Sequence, residues 1–214
     1  MKILLTGING QVGFELCRAL APLGEVAAMD RTRCDLSNPD SLRAAVRAAR
    51  PDVIVNPAAY TAVDKAEGDE ATAHAINAIA PGVLGEEAAR IDALVVHYST
   101  DYVFDGTKSE PYRESDLTNP LSVYGRTKLA GEQALAATGA RHLIFRTSWV
   151  YGAHGANFLK TILRLARERE ELRIVADQHG APTGAELIAD TTAQILGQYA
   201  RSKNKNGIPA GIFH

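Results

Sequence analysis

Apolar residues along this chain come in short continuous runs, separated by longer stretches of helical period. Residues 3–5 are apolar and lead into a glycine-rich turn, after which residues 11–23 place apolar side chains on one helical face. The same alternation then repeats. It predicts strands at 25–29, 53–56, 94–98 and 142–146, and helices at 39–49, 67–91 and 124–138. Asn38-Pro39 opens the second helix, because proline suits a first helical turn. The runs VIVN and LVVHYS are apolar without alternation, as expected of strands covered on both faces. Strands alternating with helices in this way predict βαβ units, hence an α/β fold with a Rossmann-like, doubly wound parallel sheet.

The rhythm changes after Tyr151. The stretch GAHGANFLKTILRLARERE carries one helix, and LRIVADQHGAPTGAELIADTTAQILGQYA reads as a strand, a loop rich in Gly and Pro, and another helix. We therefore expect residues 1–150 to form a nucleotide-binding domain. Residues 151–214 would start a smaller C-terminal substrate-binding region and return one helix and one strand to the core. The apolar run Gly211-Ile212-Phe213, placed just before His214, leads us to expect that this C-terminal region is truncated.

Composition narrows the function classes. The chain has 214 residues, of which 46% are hydrophobic, enough for one domain or one plus part of another. Basic and acidic residues number 23 and 25, a net charge of −2 that argues against a nucleic-acid partner. The one basic cluster, Arg201-Ser202-Lys203-Asn204-Lys205, reads as a solvated loop. Cys17 and Cys34 have no metal-ligand spacing and read as reduced thiols. The first apolar run is shorter than a signal-peptide core, and no stretch approaches the roughly 18 apolar residues of a membrane span. We expect a soluble cytoplasmic protein with no membrane partner.

The chemistry begins in LLTGINGQVGFEL, where Gly7, Gly10 and Gly13 stand between the first strand and the first helix. Glycines there let the backbone approach a pyrophosphate, and the helix N-terminus favours its charge. Gln11 and Val12 complete the candidate cradle. The spacing is G-x-x-G-x-x-G, and its place after the first strand carries the dinucleotide reading. Such a motif predicts an acidic residue about 20 positions on, to hold the adenosine ribose, and Asp30 fits. Arg31 and Arg33 beside it suit the 2′-phosphate of NADP, so NADH and NADPH both remain open. Asp35-Leu36 lies near the adenine, or Asp35 serves as a turn carboxylate. After the third strand, the small Ala58 and Ala59, continued by Tyr60 and Thr61, let a dinucleotide pass.

NPLSVYGRTKLAGE supplies Tyr124 and Lys128, four residues apart and so on one helical face. A phenol near pKa 10 is a poor acid–base group at neutral pH. A neighbouring ammonium and a cationic nicotinamide would bring it closer to working pH. The lysine also suits a cofactor ribose.

The pairing of TGxxGxxG with YxxxK resembles the extended branch of the short-chain dehydrogenase/reductase superfamily. RPDVIVNPAAYTAVDKAE, VVHYSTDYVFDGT, FRTSWVYG and DQHGAPTGAELIAD narrow the resemblance to the dTDP-4-dehydrorhamnose reductase family, along essentially the whole chain. Pro57 departs from the family's usual Ala. The resemblance implies reduction of the C4 keto group of dTDP-4-dehydro-L-rhamnose by NADPH or NADH, in the route to cell-surface polysaccharide. It makes Tyr124 the proton donor, Lys128 its tuning group, and Thr100 a hydroxyl bonded to the same oxygen or to the Tyr124 hydroxyl. Asp101 resembles a substrate-contacting position, and Trp149 a side chain that packs on the sugar. Glu15 and Glu186 resemble carboxylates that bind Mg2+ at a homodimer interface in some members. Two rivals share the fold: an NAD-recycling sugar-nucleotide epimerase or dehydratase, and a non-catalytic NADP-binding regulatory subunit. Against a dehydratase stands STDYVFDG, where Tyr102 occupies the place of the Glu that elimination requires.

Overall fold

The structure is a computed structural model that describes residues 1–202 and 210–214. Lys203-Asn204-Lys205, most of the basic cluster, lies outside the described residues. The elements in chain order are β1 (Lys2–Leu5), α1 (Gln11–Leu20), β2 (Glu25–Ala28), α2 (Pro39–Ala49), β3 (Val53–Asn56), α3 (Val63–Ala66) and α4 (Glu70–His74). Then come α5 (Ala80–Arg90), β4 (Leu94–Thr100), α6 (Val123–Ala137), β5 (His142–Thr147), β6 (Val150–Tyr151), α7 (Phe158–Glu168), β7 (Thr183–Gly184), α8 (Ala185–Arg201) and β8 (Gly211–Phe213).

Six strands form one sheet in the order β2-β1-β3-β4-β5-β8, with every pair parallel. Side chains alternate across it. Leu4, Ile54, Val95 and Ile144 meet α2, α5 and Leu135 of α6 on one face. Ile3, Leu5, Val53, Val55, Val96 and Tyr98 meet Leu16 and Leu20 of α1 and Ile188, Leu196 and Tyr199 of α8 on the other. Full burial of each such side chain contributes about 1.5–3 kcal/mol, so these two layers hold the sheet. The chain reverses direction across the sheet between β1 and β3. Ligands of doubly wound sheets bind at that crevice, beyond the carboxyl ends of the strands.

The element boundaries depart from the sequence pattern in three places. The first helix ends at Leu20, and Pro22 sits in a separate 3-10 turn, Ala21–Leu23. The long helix expected over 67–91 is interrupted. Gly68 separates α3 from α4, and a π-helical turn, Ala75–Ile79, joins α4 to α5. The strand expected in LRIVA does not form. Ile174 and Val175 are exposed there, and Thr183–Gly184 pairs with Val150–Tyr151 instead.

Candidate active site

The turn after β1 is shaped by close approach. Gly7 adopts φ +60°, and a Cβ on it would stand 2.8 Å from the Ala58 Cβ. A Cβ on Gly13 would stand 2.1 Å from the Gly7 carbonyl oxygen. Gly10 is freer, its nearest neighbour being that same oxygen at 3.4 Å, and it caps α1 while donating its N–H to it at 3.0 Å. Beside this turn lies a cleft of about 340 Å3 lined by Gly7, Asp35, Leu36, Ala58, Ala59, Tyr60 and Thr61 among others. These predicted residues, scattered over the first 61 positions, therefore meet in one place.

Arg31 also lines the cleft, whereas Arg33 turns away and donates to the Ala28 carbonyl at 3.3 Å. Asp30 stands just past β2, but its Oδ1 is engaged by its own turn. It accepts from the Thr32 hydroxyl at 2.6 Å and from the backbone N–H groups of Thr32 and Arg33. Asp35 does the same, with Oδ1 accepting from the hydroxyl and N–H of Ser37. Gln11 and Val12 do not line the cleft. Gln11 donates to the Val150 carbonyl and accepts from Asn157 at 2.9 Å, tying α1 to the segment after β5, and Val12 packs against the core. That segment lies over the glycine turn, where His154 stacks on Phe14 at 4.1 Å and its Nε2 meets the Asn9 carbonyl.

The carboxyl end of β4 carries the second half of the site. Thr100 Oγ1 accepts from the Tyr102 N–H at 3.2 Å and donates to Asp101 Oδ1 at 3.1 Å. One hydroxyl thus closes the turn and touches the neighbouring carboxyl. Ser99, the preceding residue, is buried in the strand, and its Oγ makes no hydrogen bond. Helix α6 comes close because residue 125 is glycine: a Cβ there would stand 2.2 Å from the Tyr102 carbonyl oxygen. Ser122 caps the helix by accepting from the Gly125 N–H at 3.1 Å. This closeness sets the Tyr124 ring edge-on to Tyr102 at 5.6 Å and beside Thr100.

Burial pushes the Tyr124 phenol up to about 12, while a hydrogen bond with Thr100 pulls the other way and the Asp101 charge adds to the rise. The chain's own groups therefore keep this hydroxyl protonated. Lys128 is not among the groups that shift this phenol in the unliganded chain. Lys128 Nζ donates to the Tyr98 carbonyl at 2.6 Å and lies 3.4 Å from His97 Nε2. Its own pKa is pushed down to about 8 by burial, opposed by Glu132. Glu132 meets Arg146 through two hydrogen bonds of 2.9 and 2.7 Å, and the Arg146 guanidinium lies over the Phe104 ring at 5.1 Å. Burial also raises the Asp101 carboxyl.

Trp149 stands in the turn after β5, with φ +45° and 44% exposure, its indole against Gly180. Taken together, a glycine-lined turn beside a cleft and a group of buried Thr100, half-buried Tyr124 and buried Lys128 gather at the carboxyl ends of β1, β3 and β4. A model of the RmlD substrate binding domain family matches residues 1–214.

The chain belongs to that family.

A dTDP-4-dehydrorhamnose reductase of Burkholderia thailandensis is 56% identical over 214 residues, which are 100% of this chain and 72% of that relative. The crystal structure of a dTDP-4-dehydrorhamnose reductase from Clostridium acetobutylicum superposes with a TM-score of 0.91 at 40% identity. It is covered over 73% of its length by all of this chain. Another from Bacillus anthracis, solved in complex with NADP, gives a TM-score of 0.90 at 36% identity, with 100% and 74% covered.

Two further features of this RmlD-family chain bear on the site. Asn77, in the π-helical turn, is buried and holds the cleft to α6. It exchanges hydrogen bonds with the Tyr60 backbone at 2.8 and 3.0 Å and donates to Thr127 Oγ1 at 3.3 Å. Its only signal in the sequence is a lone amide in an alanine-rich helix. The carboxylates Glu15 of α1 and Glu186 of α8 are brought to the same place on the surface. Both pair with Arg18, at 3.4 and 3.8 Å, which also binds Asp190 at 2.9 Å. Among the described residues, no group of three His, Cys, Asp or Glu side chains is arranged to hold a metal.

Proposed function

We propose that this chain reduces the C4 keto group of dTDP-4-dehydro-L-rhamnose to give dTDP-L-rhamnose, using NADPH or NADH. The observation that carries the reading is the half-buried Tyr124, its hydroxyl kept protonated beside Thr100, at the strand end next to the cleft of the glycine turn. The likeness to reductases over the full chain supports it.

Residues 1–150 hold the cofactor, and 151–214 begin the sugar-nucleotide side. Gly7, Gly10 and Gly13 let the diphosphate approach the backbone at the N-terminus of α1. Ala58, Ala59, Tyr60 and Thr61 form the wall beside it, with Asp30, Arg31, Asp35 and Leu36 at the adenosine end. The bound reduced nicotinamide supplies a hydride. The chain's residues deal with the negative charge that then develops on the carbonyl oxygen. Thr100 donates to that oxygen, and Tyr124 gives it a proton. A phenol held at about 12 keeps this proton until an oxyanion of comparable basicity appears. Lys128 holds the ribose side and returns the proton. Asp101 and Trp149 orient the sugar. No helix among the described residues is long and apolar enough to cross a membrane.

The test is oxidation of NADPH and NADH with dTDP-4-dehydro-L-rhamnose. Stoichiometric cofactor loss is expected, and turnover without it would overturn the reading. Tyr124→Phe should lower kcat by about 10^2–10^4-fold while leaving cofactor affinity intact.

A further inference from the structure

Behind Lys128 runs a line of buried polar groups that the proposed reaction does not use. Thr6 follows β1, Asn56 ends β3, and His97 lies within β4, opposite Asn56 in the register. The Thr6 hydroxyl donates to Asn56 Oδ1 at 2.6 Å. Asn56 Nδ2 stands 3.2 Å from His97 Nδ1, and His97 Nε2 stands 3.4 Å from Lys128 Nζ. None of the four residues is more than 1% exposed. Apolar side chains such as the neighbouring Val55 and Val96 would fill this space without the cost of burying polar groups.

His97 is neutral. Burial first, and then the charge of Lys128, hold its pKa well below 6.5, against the pull of the Asn56 backbone carbonyl. A neutral imidazole carries one N–H and one lone pair. Asn56 offers the ring both kinds of partner, its side-chain N–H as donor and its backbone carbonyl as acceptor. Either tautomer is therefore satisfied on the Asn56 side. On the far side, an ammonium at Nζ requires the Nε2 lone pair, whereas a neutral amine can accept an N–H from Nε2, the stronger arrangement because the imidazole N–H is the better donor and the amine lone pair the better acceptor.

We propose that His97 is a positioning residue for Lys128, whose tautomer switches with the charge of the lysine, so that Nζ keeps a hydrogen bond from or to the ring in both states. The imidazole holds one proton throughout, on Nδ1 beside the ammonium and on Nε2 beside the amine. The proton gained on acidification resides on Nζ. The other ionisable groups at this place are Tyr124, one turn earlier on α6, and Glu132, one turn later and paired with Arg146. A lysine held in this way passes a proton without moving. The inference takes Lys128 as part of the reductase site, but its test does not need turnover.

In the full chain labelled with 13C and 15N, the Lys128 Cε signal and the His97 ring nitrogens are followed against pH. The His97 tautomer should change from Nδ1–H to Nε2–H at the midpoint of Lys128. One tautomer on both sides of that midpoint, or an imidazolium below it, would overturn the proposal. Asn56→Asp supplies a carboxylate for Nδ1–H. It should fix that tautomer, abolish the switch and raise the Lys128 midpoint by about one pH unit, a tenfold gain in proton affinity. Thr6→Val, which leaves Asn56 in place, should keep the switch and move its midpoint less. In turnover, Asn56→Asp should displace the pH profile of kcat, whereas a merely structural role would lower kcat evenly at every pH. Absence of reductase activity alongside an intact switch would sink the function and leave this coupling standing.

Discussion

The two halves of the site are built from opposite materials. The cradle after β1 is made of backbone and missing side chains: Gly7 and Gly13 work because no Cβ is present. The end of β4, helix α6 and β5 hold buried ionisable groups, among them Lys128, Glu132 and Arg146, each of which depends on its neighbours. The cradle is therefore vulnerable to added atoms, and the strand end to removed partners and to pH. A surface made by close approach has no protonation state to maintain. A buried charge has to be compensated at every step of a reaction.

The largest break in this contrast should come from Glu132→Ala, which leaves the Arg146 guanidinium buried without its carboxylate. Urea unfolding should show a loss of about 3–5 kcal/mol. Removing both charges, as in Glu132→Leu with Arg146→Met, should recover most of it. Lys128 supplies a pH test of the same half. Its folded pKa, about 8, lies below the ordinary lysine value of 10.5, so the unfolded chain binds the extra proton between these limits. Stability then rises with pH across that window and is lower by about 3 kcal/mol below it. Unfolding of Lys128→Met, compared with the parent from pH 7 to 10, should lack this rise. The smallest effect belongs to the cradle. Gly13→Ala should cost about 1–3 kcal/mol and weaken cofactor binding, because its Cβ would meet the Gly7 carbonyl at 2.1 Å. Gly10→Ala, with 3.4 Å to spare, should be tolerated by the fold, and calorimetry of the pair separates the two glycines.

The cradle and the Tyr124–Lys128 pair were legible because each is local. A glycine spacing after an apolar run, or two side chains four apart, needs no knowledge of the rest of the chain. Thr6, Asn56 and His97 were not legible as a group. They lie 50 and 41 positions apart and meet only through strand register, which the apolar pattern does not specify to the residue. Asn77 reaches its place through a π-helical turn that an alanine-rich run does not announce. The family pattern brought Glu15 and Glu186 together, but Arg18, one turn along α1 and paired with both, was not legible beside them. LRIVA shows the reverse error: a β-prone run that forms no strand.

The placement of α8 has a consequence for assembly. Strands β1 to β5 and their crossovers are complete by Thr147, yet the face bearing Ile3, Leu5, Val53 and Val55 is covered by Ile188, Leu196 and Tyr199, made some 40 residues later. During synthesis that face waits, apolar and half bare, for α8. Pairing of Ile144 with Ile212 closes across 68 positions (212 − 144). The sheet thus begins folding early and finishes slowly, and the interval is when it is most exposed to aggregation or capture by a chaperone.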